Sequence, residues 1–227
     1  MIYVMSDIHG YFDLFINMLT KINFSDSDEL YILGDVVDRG PEPIKILQYI
    51  KDKKNIHLIK GNHEDMFINS FYMGFTSYAY ETRLWFRNGG RITHDKFYEL
   101  PEDEKTEIIE YIKNLPVKKD LEVNNKKYIL VHGMYKENLE DDEIIWGRVR
   151  EYYSAPDNTT VIFGHTGTYH YQDNKPFVFW KSEYGMFGID CGLARSYEND
   201  SQLGCLCLDT MEEFYIKRPK NLNIDPF

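Results

Sequence analysis

The apolar positions of the chain fall into short runs, and each run ends in polar groups capable of chemistry. "IYVM" at residues 2–5 leads into Asp7 and His9, "LYIL" at 30–33 into Gly34 and Asp35, and "IHLIK" at 56–60 into Gly61, Asn62 and His63. Further along, "KYILV" at 127–131 leads into His132, and "TVIF" at 160–163 into Gly164, His165 and Thr166. Runs of four or five β-branched and aromatic residues bounded by glycine read as buried strands. Functional groups at their ends would converge on one rim.

Between the first strands the period changes. "DLFINMLTKI" at 13–22 sets Leu14, Ile16, Met18, Leu19 and Ile22 on one helical face, and "EPIKILQYIKD" at 42–52 does the same, with Pro41 read as its first helical residue. Strand and helix in alternation predict an α/β protein. From Glu64 to about Asn125 the segments "EDMFINSFYMGF", "YETRLWFRNGG" and "EDEKTEIIEYIKNL" read as helical with no buried-strand pattern between them. They are expected to form a helical insertion over one side of the site. The last third returns to strands at "FVFW", "MFGID", "LGCLCLD" and "EFYI", with "DTMEE" as a hairpin turn, and residues 218–227 read as a surface tail.

Composition narrows this picture. A chain of 227 residues with 43% hydrophobic content can bury a substantial core, and a single domain over 1–227 is expected. Its 26 basic and 37 acidic residues give a net charge of −11, which argues against nucleic acid as a partner because phosphate-backbone binding needs clustered Lys and Arg. Three cysteines, Cys191, Cys205 and Cys207, form no CxxC pair, so neither a disulfide framework nor a structural zinc site is expected. That usage suits a reducing cytoplasm. "MIYVMSDIHG" lacks the basic and long apolar parts of a signal peptide, and no run reaches the roughly 18 apolar residues of a membrane span.

Taken together, Asp7, His9, Asp35, Asn62, His132 and His165 mix carboxylate, imidazole and amide donors, a set suited to hard or borderline divalent metals. Six ligands exceed one tetrahedral site. With one carboxylate bridging they divide between two metals about 3.5–4 Å apart, an arrangement that activates water against phosphorus. Asp7 and His9 are expected to point the same way as alternate residues of an extended segment. His57, His94 and His170 lie outside the pattern and receive no role. Cys205 and Cys207 read as core packing, the aromatic stretch "FYMGFTSYAYETRLWF" as core or substrate groove, and "ENLEDDEII" as a solvated face.

In that order, "SDIHG", "GDVVDRG", "GNHE", "VHG" and "FGHT" resemble the phosphoprotein phosphatase family of metallophosphoesterases, and the chain looks most like its bacteriophage lambda and bacterial serine/threonine branch. "NGG" at 88–90, "IIWGRVR" at 144–150 and "IDCG" with "GCLCLDT" carry the similarity to about residue 210. The resemblance implies the calcineurin-like fold, two packed β-sheets flanked by helices. It implies that Asp7 and His9 bind a first metal, that Asp35 bridges, and that Asn62, His132 and His165 bind the second. A bridging water made acidic by both cations would then be the nucleophile. Arg39 and Arg148 would hold the phosphate, and His63, oriented by Asp38, would protonate the leaving oxygen.

Phosphoserine and phosphothreonine proteins are the substrates so implied, with phosphotyrosine as an extension. Dinucleoside polyphosphate hydrolases of the same superfamily offer a second reading. Those relatives commonly lack the second aspartate of "GDVVDRG" and carry aspartate where this chain has Glu64, so both positions favour the phosphatase. A catalytically silent, metal-stabilised binding module is a third reading, and it predicts a missing ligand or a missing His63. Nitrogen and oxygen donors accept manganese, iron, zinc or cobalt, and Mn²⁺ is expected to support activity.

Overall fold

The computed structural model describes residues 1–172, 178–194 and 201–219. In chain order its first half comprises β1 (Ile2–Met5), α1 (Phe12–Lys21), β2 (Glu29–Ile32), α2 (Pro43–Ile50), β3 (Ile56–Leu58), α3 (Asn62–Tyr72), α4 (Tyr80–Arg87), α5 (Arg91–Tyr98) and α6 (Glu102–Lys113). Then come β4 (Lys118–Val123), β5 (Lys126–Val131), α7 (Asp141–Trp146), β6 (Thr159–Phe163), β7 (Trp180–Lys181), β8 (Met186–Gly188), β9 (Gln202–Cys207) and β10 (Glu213–Lys217). No described helix is long and apolar enough to cross a membrane.

Alternation along the strands decides the layers. Tyr3 and Met5 of β1, Leu30 and Ile32 of β2, and Cys205 and Cys207 of β9 face a core filled from the other side by helices α1 to α6. Val4, Tyr31 and Leu206, the residues between them, face the other way into a second core that also holds Leu130, Ile162 and Phe187 of the other sheet. Ile129, Val131, Val161 and Phe163 point outward again, under Ile144 of α7. A pleat of period two buried on both faces produces this division. The result is two five-stranded mixed sheets, ordered β10-β9-β1-β2-β3 and β4-β5-β6-β8-β7, packed face to face with helices outside. This is the expected α/β architecture of two sheets flanked by helices.

Within each sheet the central strands are parallel, β1-β2-β3 in one and β5-β6-β8 in the other, and antiparallel strands close the edges. Parallel strands put their C-terminal ends on a common side, where ligand sites of open α/β sheets form.

Three expectations need correction. The segment from 64 to 125 is not helical throughout, since β4 lies inside it and pairs with β5 through residues 118–123 and 126–131. Half of the residues of β4 are exposed, and a charged edge strand lacks the apolar run of a buried one. Nor do its helices merely cover the site: Phe67, Trp85, Phe97, Ile108 and Ile112 belong to the first core. Pro41 precedes α2, and Pro43 holds its first position. Phe177 of the expected "FVFW" strand and residues 220–227 of the expected tail lie outside the described residues, while Arg218 is fixed, its Nη1 donating to Leu193 O at 2.8 Å.

Candidate active site

Each expected site residue but Arg148, which comes after α7, follows a parallel strand. Asp7 and His9 lie after β1, Asp35, Asp38 and Arg39 after β2, Asn62 and His63 at the start of α3 after β3, His132 after β5, and His165 after β6. The structure brings all of them to one cavity of about 560 Å³, except Asp38 and His132, which support it from behind. Asp35 is the centre. His9 and His63 gather around it on one side, His132 and His165 on the other, so two three-residue clusters share one carboxylate. His9 Nε2 is 3.6 Å from Asp35 Oδ2, and His132 Nε2 is 3.3 Å from Asp35 Oδ1.

Backbone conformation, not strand alternation, aims the first pair. Asp7 and His9 have left-handed backbones, φ 54° and 46°, so the extended-segment argument does not hold for them. Close approach explains two glycines here. A Cβ on Gly34 (φ 81°) would strike Gly61 Cα and His132 Nδ1, and one on Gly164 would strike the Ser6 and Asp7 side chains.

The imidazoles are held in a defined tautomer. His9 Nδ1 donates to Val37 O at 2.9 Å and His132 Nδ1 to Leu33 O at 2.6 Å, which turns both Nε2 lone pairs inward. A backbone carbonyl on the outer nitrogen is the usual support of a ligating histidine. Inside, His132 Nε2 faces Asn62 Oδ1 at 2.9 Å and Asp35 Oδ1, acceptor against acceptor. That convergence of nitrogen and oxygen lone pairs fits divalent cations. Asp7 stands slightly apart, its Oδ2 accepting from Ser6 Oγ and, at 3.0 Å, from His165 N.

Burial sets the electrostatics. It holds the Asp7 and Asp35 carboxyls well above the usual carboxylate range, helped by Asp190 for the former and Glu64 for the latter. It holds the His9, His63 and His165 imidazoles well below their ordinary value, with Arg39 reinforcing the first two and His132 the third. Nearby cations of higher charge favour carboxylate anions and neutral imidazole ligands, so the donor set and its environment agree.

His63 and Asp38 form a separate unit. His63 Nδ1 lies 2.6 Å from Asp38 Oδ2, and Asp38 also accepts Trp85 Nε1 at 2.8 Å and Thr93 Oγ1 at 2.5 Å. Burial pushes the Asp38 carboxyl up to about 8 against those two donors. That carboxyl occupies the Nδ1 side of the ring. His63 Nε2 then opens toward the cavity, where Arg39 Nη2 donates to it at 2.8 Å and Arg39 Nη1 donates to His9 Nε2 at 2.9 Å. Arg148 lies across the cavity with Nη1 3.3 Å from Thr166 Oγ1, and Arg150 does not reach this cavity.

The sequence reading gives several residues here no role in building the site. Glu64 is fully buried and accepts four backbone N–H groups: Asp35 at 2.8 Å and Gly61 at 2.9 Å on Oε2, Val36 at 2.9 Å and Val37 at 3.3 Å on Oε1. Trp85 and Thr93 hold Asp38. Arg87, His170 and Asp190 line the cavity, so the exclusion of His170 from the site is corrected. Asp190 follows β8 as the other residues follow their strands, and that repeated grammar was the signal available for it. The aromatic stretch divides: Phe71, Phe75 and Trp85 pack in the core, while Tyr78 and Tyr80 are exposed.

Fold and donor cluster together define a metallophosphoesterase, and comparison with known proteins agrees. A family model for calcineurin-like phosphoesterases matches residues 1–191, and the chain belongs to that family of phosphoester hydrolases. Serine/threonine-protein phosphatase 2 of Salmonella typhimurium is 32% identical over 179 residues, covering 72% of this chain and 78% of that protein. The symmetrical bis(5′-nucleosyl)-tetraphosphatase of Salmonella paratyphi B is 29% identical over 134 residues, covering 58% of this chain and 42% of that protein. A crystal structure described as that of "a putative diadenosine tetraphosphatase" superposes with a TM-score of 0.67 at 15% identity, over 97% of this chain and 94% of that one. At that identity the likeness shows the fold alone.

Proposed function

We propose that the protein, acting as one domain, is a metal-dependent phosphatase that hydrolyses phosphoserine and phosphothreonine monoesters in proteins. The observation that carries this reading is the buried His63–Asp38 pair with Nε2 open to the cavity. An alkoxide is a poor leaving group and needs a proton as it departs, whereas the leaving phosphate of a polyphosphate does not. A histidine oriented by a buried, three-fold hydrogen-bonded carboxylate suits the former task.

Asp7, His9 and Asp35 would hold one divalent ion, and Asp35, Asn62, His132 and His165 a second, with Mn²⁺ the expected choice in vitro. When bound, such ions make a water acidic and neutralise charge on the phosphoryl group. Arg39 and Arg148 orient that group through paired N–H donors. As Arg39 turns to the phosphoryl oxygens it releases His63 Nε2, and the adjacent dianion favours protonation there. An oxygen from water joins phosphorus while the bond to the alcohol oxygen breaks. That oxygen takes the Nε2 proton, and Asp38 steadies the imidazole through Nδ1–H.

A hydrolase of dinucleoside polyphosphates is the second reading, favoured by the tetraphosphatase relative. One activity panel with Mn²⁺ separates them: phosphoserine and phosphotyrosine peptides beside diadenosine tetraphosphate, with His63→Asn as control. Turnover of the peptides supports the phosphatase. Turnover of the dinucleotide alone refutes it.

A further inference from the structure

Eight arginines occur in a chain of net charge −11, and four of them, Arg39, Arg87, Arg148 and Arg150, line either the reaction cavity or a hollow beside it. Among the described residues of the hollow itself, Arg148 and Arg150 outnumber Glu151, a local balance opposite in sign to that of the whole molecule. The hollow, about 580 Å³, shares Arg148 and His170 with the reaction cavity and is walled by Arg150, Glu151, Tyr152 and Tyr171. It therefore adjoins the cavity in which the scissile phosphate would sit.

The segment after α7 gives the two cavities their arginines. Burial alternates exposed, buried, exposed across Arg148, Val149 and Arg150. Val149 packs into the outer core, and its carbonyl accepts Tyr171 Oη at 2.9 Å. With the middle residue anchored inward, the flanking guanidinium groups leave on the opposite side together. In extended chain their Cα atoms stand about 6.6 Å apart, the same interval as alternate residues of an extended peptide. Arg148 already touches Thr166, but the Arg150 side chain has no hydrogen-bond or ion-pair partner among the described residues. Glu151 is the one carboxylate among the described residues of the hollow, so their fixed charges sum in favour of anions.

We propose that this hollow is a substrate subsite that takes an acidic side chain about two positions from the phosphorylated residue of an extended peptide, with Arg150 as its specificity-determining group. The proposal rests on the phosphoprotein reading above. Its test is steady-state kcat/KM for three phosphoserine peptides that differ only two positions away: alanine on both sides, glutamate on the N-terminal side, or glutamate on the C-terminal side. The wild type should prefer one glutamate peptide by about threefold to tenfold, an advantage that shrinks in 0.5 M salt. Arg150→Ala should abolish the preference, and Arg150→Glu should transfer it to a lysine peptide. Hydrolysis of p-nitrophenyl phosphate, which has no flanking residue, monitors the reaction centre in each variant. Equal turnover of the three peptides by the wild type, or a preference that survives both substitutions, overturns the subsite and leaves the phosphatase reading standing. Cleavage of diadenosine tetraphosphate with no phosphopeptide turnover overturns both.

Discussion

Glu64→Gln is a change of one atom that tests how the site is held together. The carboxylate of Glu64 accepts two backbone N–H groups on each oxygen, from Gly61 at the start of α3 and from Asp35, Val36 and Val37 after β2. All of these residues are buried, so water cannot replace a lost acceptor. In glutamine one oxygen keeps its pair, while the NH₂ group presents hydrogens to the other two N–H groups. Two buried donors lose their acceptor at about 1–3 kcal/mol each, and the surviving bonds lose their charge assistance. Together the cost is about 3–6 kcal/mol. In a chain of this length that corresponds to a fall in Tm of roughly 6–24 °C.

Two measurements check it. Thermal unfolding in chelator, followed by circular dichroism, should show a drop in that range for Glu64→Gln and a smaller one for Glu64→Asp, which keeps the charge but retracts it by a methylene. Amide hydrogen exchange at Asp35, Val36 and Val37 should accelerate in Glu64→Gln while the strands keep their protection. A Tm within about 2 °C of the wild type, with unchanged exchange at those amides, refutes the claim that this carboxylate clamps the two loops.

Other consequences can be measured separately. His63→Asn should lower turnover of phosphoserine peptides by about 10²–10⁴-fold and of p-nitrophenyl phosphate far less, because the aryl oxide leaves without a proton; equal losses would remove His63 from that role. Chelation should abolish activity and added Mn²⁺ restore it, with two ions per wild-type chain by titration calorimetry. Asp35→Asn should bind fewer, and unchanged stoichiometry would refute the shared carboxylate. Asp38, unfolded at 3.8 and folded at about 8, binds a proton in the folded state that the unfolded chain releases. Its stabilising contribution is thus complete below 3.8 and lost as pH rises toward 8. His63 has the opposite sign below about 6.5, since the unfolded imidazole then takes a proton that burial denies it. The two slopes oppose each other below 6.5, and only that of Asp38 remains from 6.5 to 8, worth about 2 kcal/mol. Denaturant unfolding in chelator should show a pH slope that is smaller by this amount in Asp38→Asn, the raised Asp7 and Asp35 carboxyls contributing equally to both proteins, and identical slopes would refute the assignment.

Much of the site was legible because its residues sit at the ends of buried parallel strands, where apolar runs and glycines mark them. Ile2–Met5 was read to the residue. What escaped depends on contacts distant in sequence. Nothing local links Trp85 or Thr93 to Asp38, 47 and 55 positions away, and only the folded first core joins them. β4 escaped because it is an exposed edge strand, although "NN" at 124–125 was a hairpin signal: both residues have positive φ, 50° and 59°, directly between paired strands. Glu64 was weighed as a mark of substrate class, yet its hydrogen bonds give it a structural duty.

That duty explains a feature of the backbone. Six non-glycine residues of the site, Asp7, His9, Asp35, Asp38, Arg39 and His165, have φ between 46° and 70°. The left-handed region costs an L-residue about 1–2 kcal/mol, somewhat less for aspartate. Such a concentration persists only where surrounding structure fixes it. Here the loops after β1 and β2 are joined to each other. His9 N donates to Asp35 O and Gly10 N to Val36 O, both at 2.8 Å, and Gly40 N donates back to His9 O at 2.9 Å. Glu64 ties the second loop to α3. A regular strand would have sent successive side chains to opposite faces of the sheet and kept same-face neighbours about 6.6 Å apart, so the donors could not all have met at Asp35. Left-handed turns bend the chain back so that they do, and the cross-links between loops hold the strained conformation in advance of any ligand.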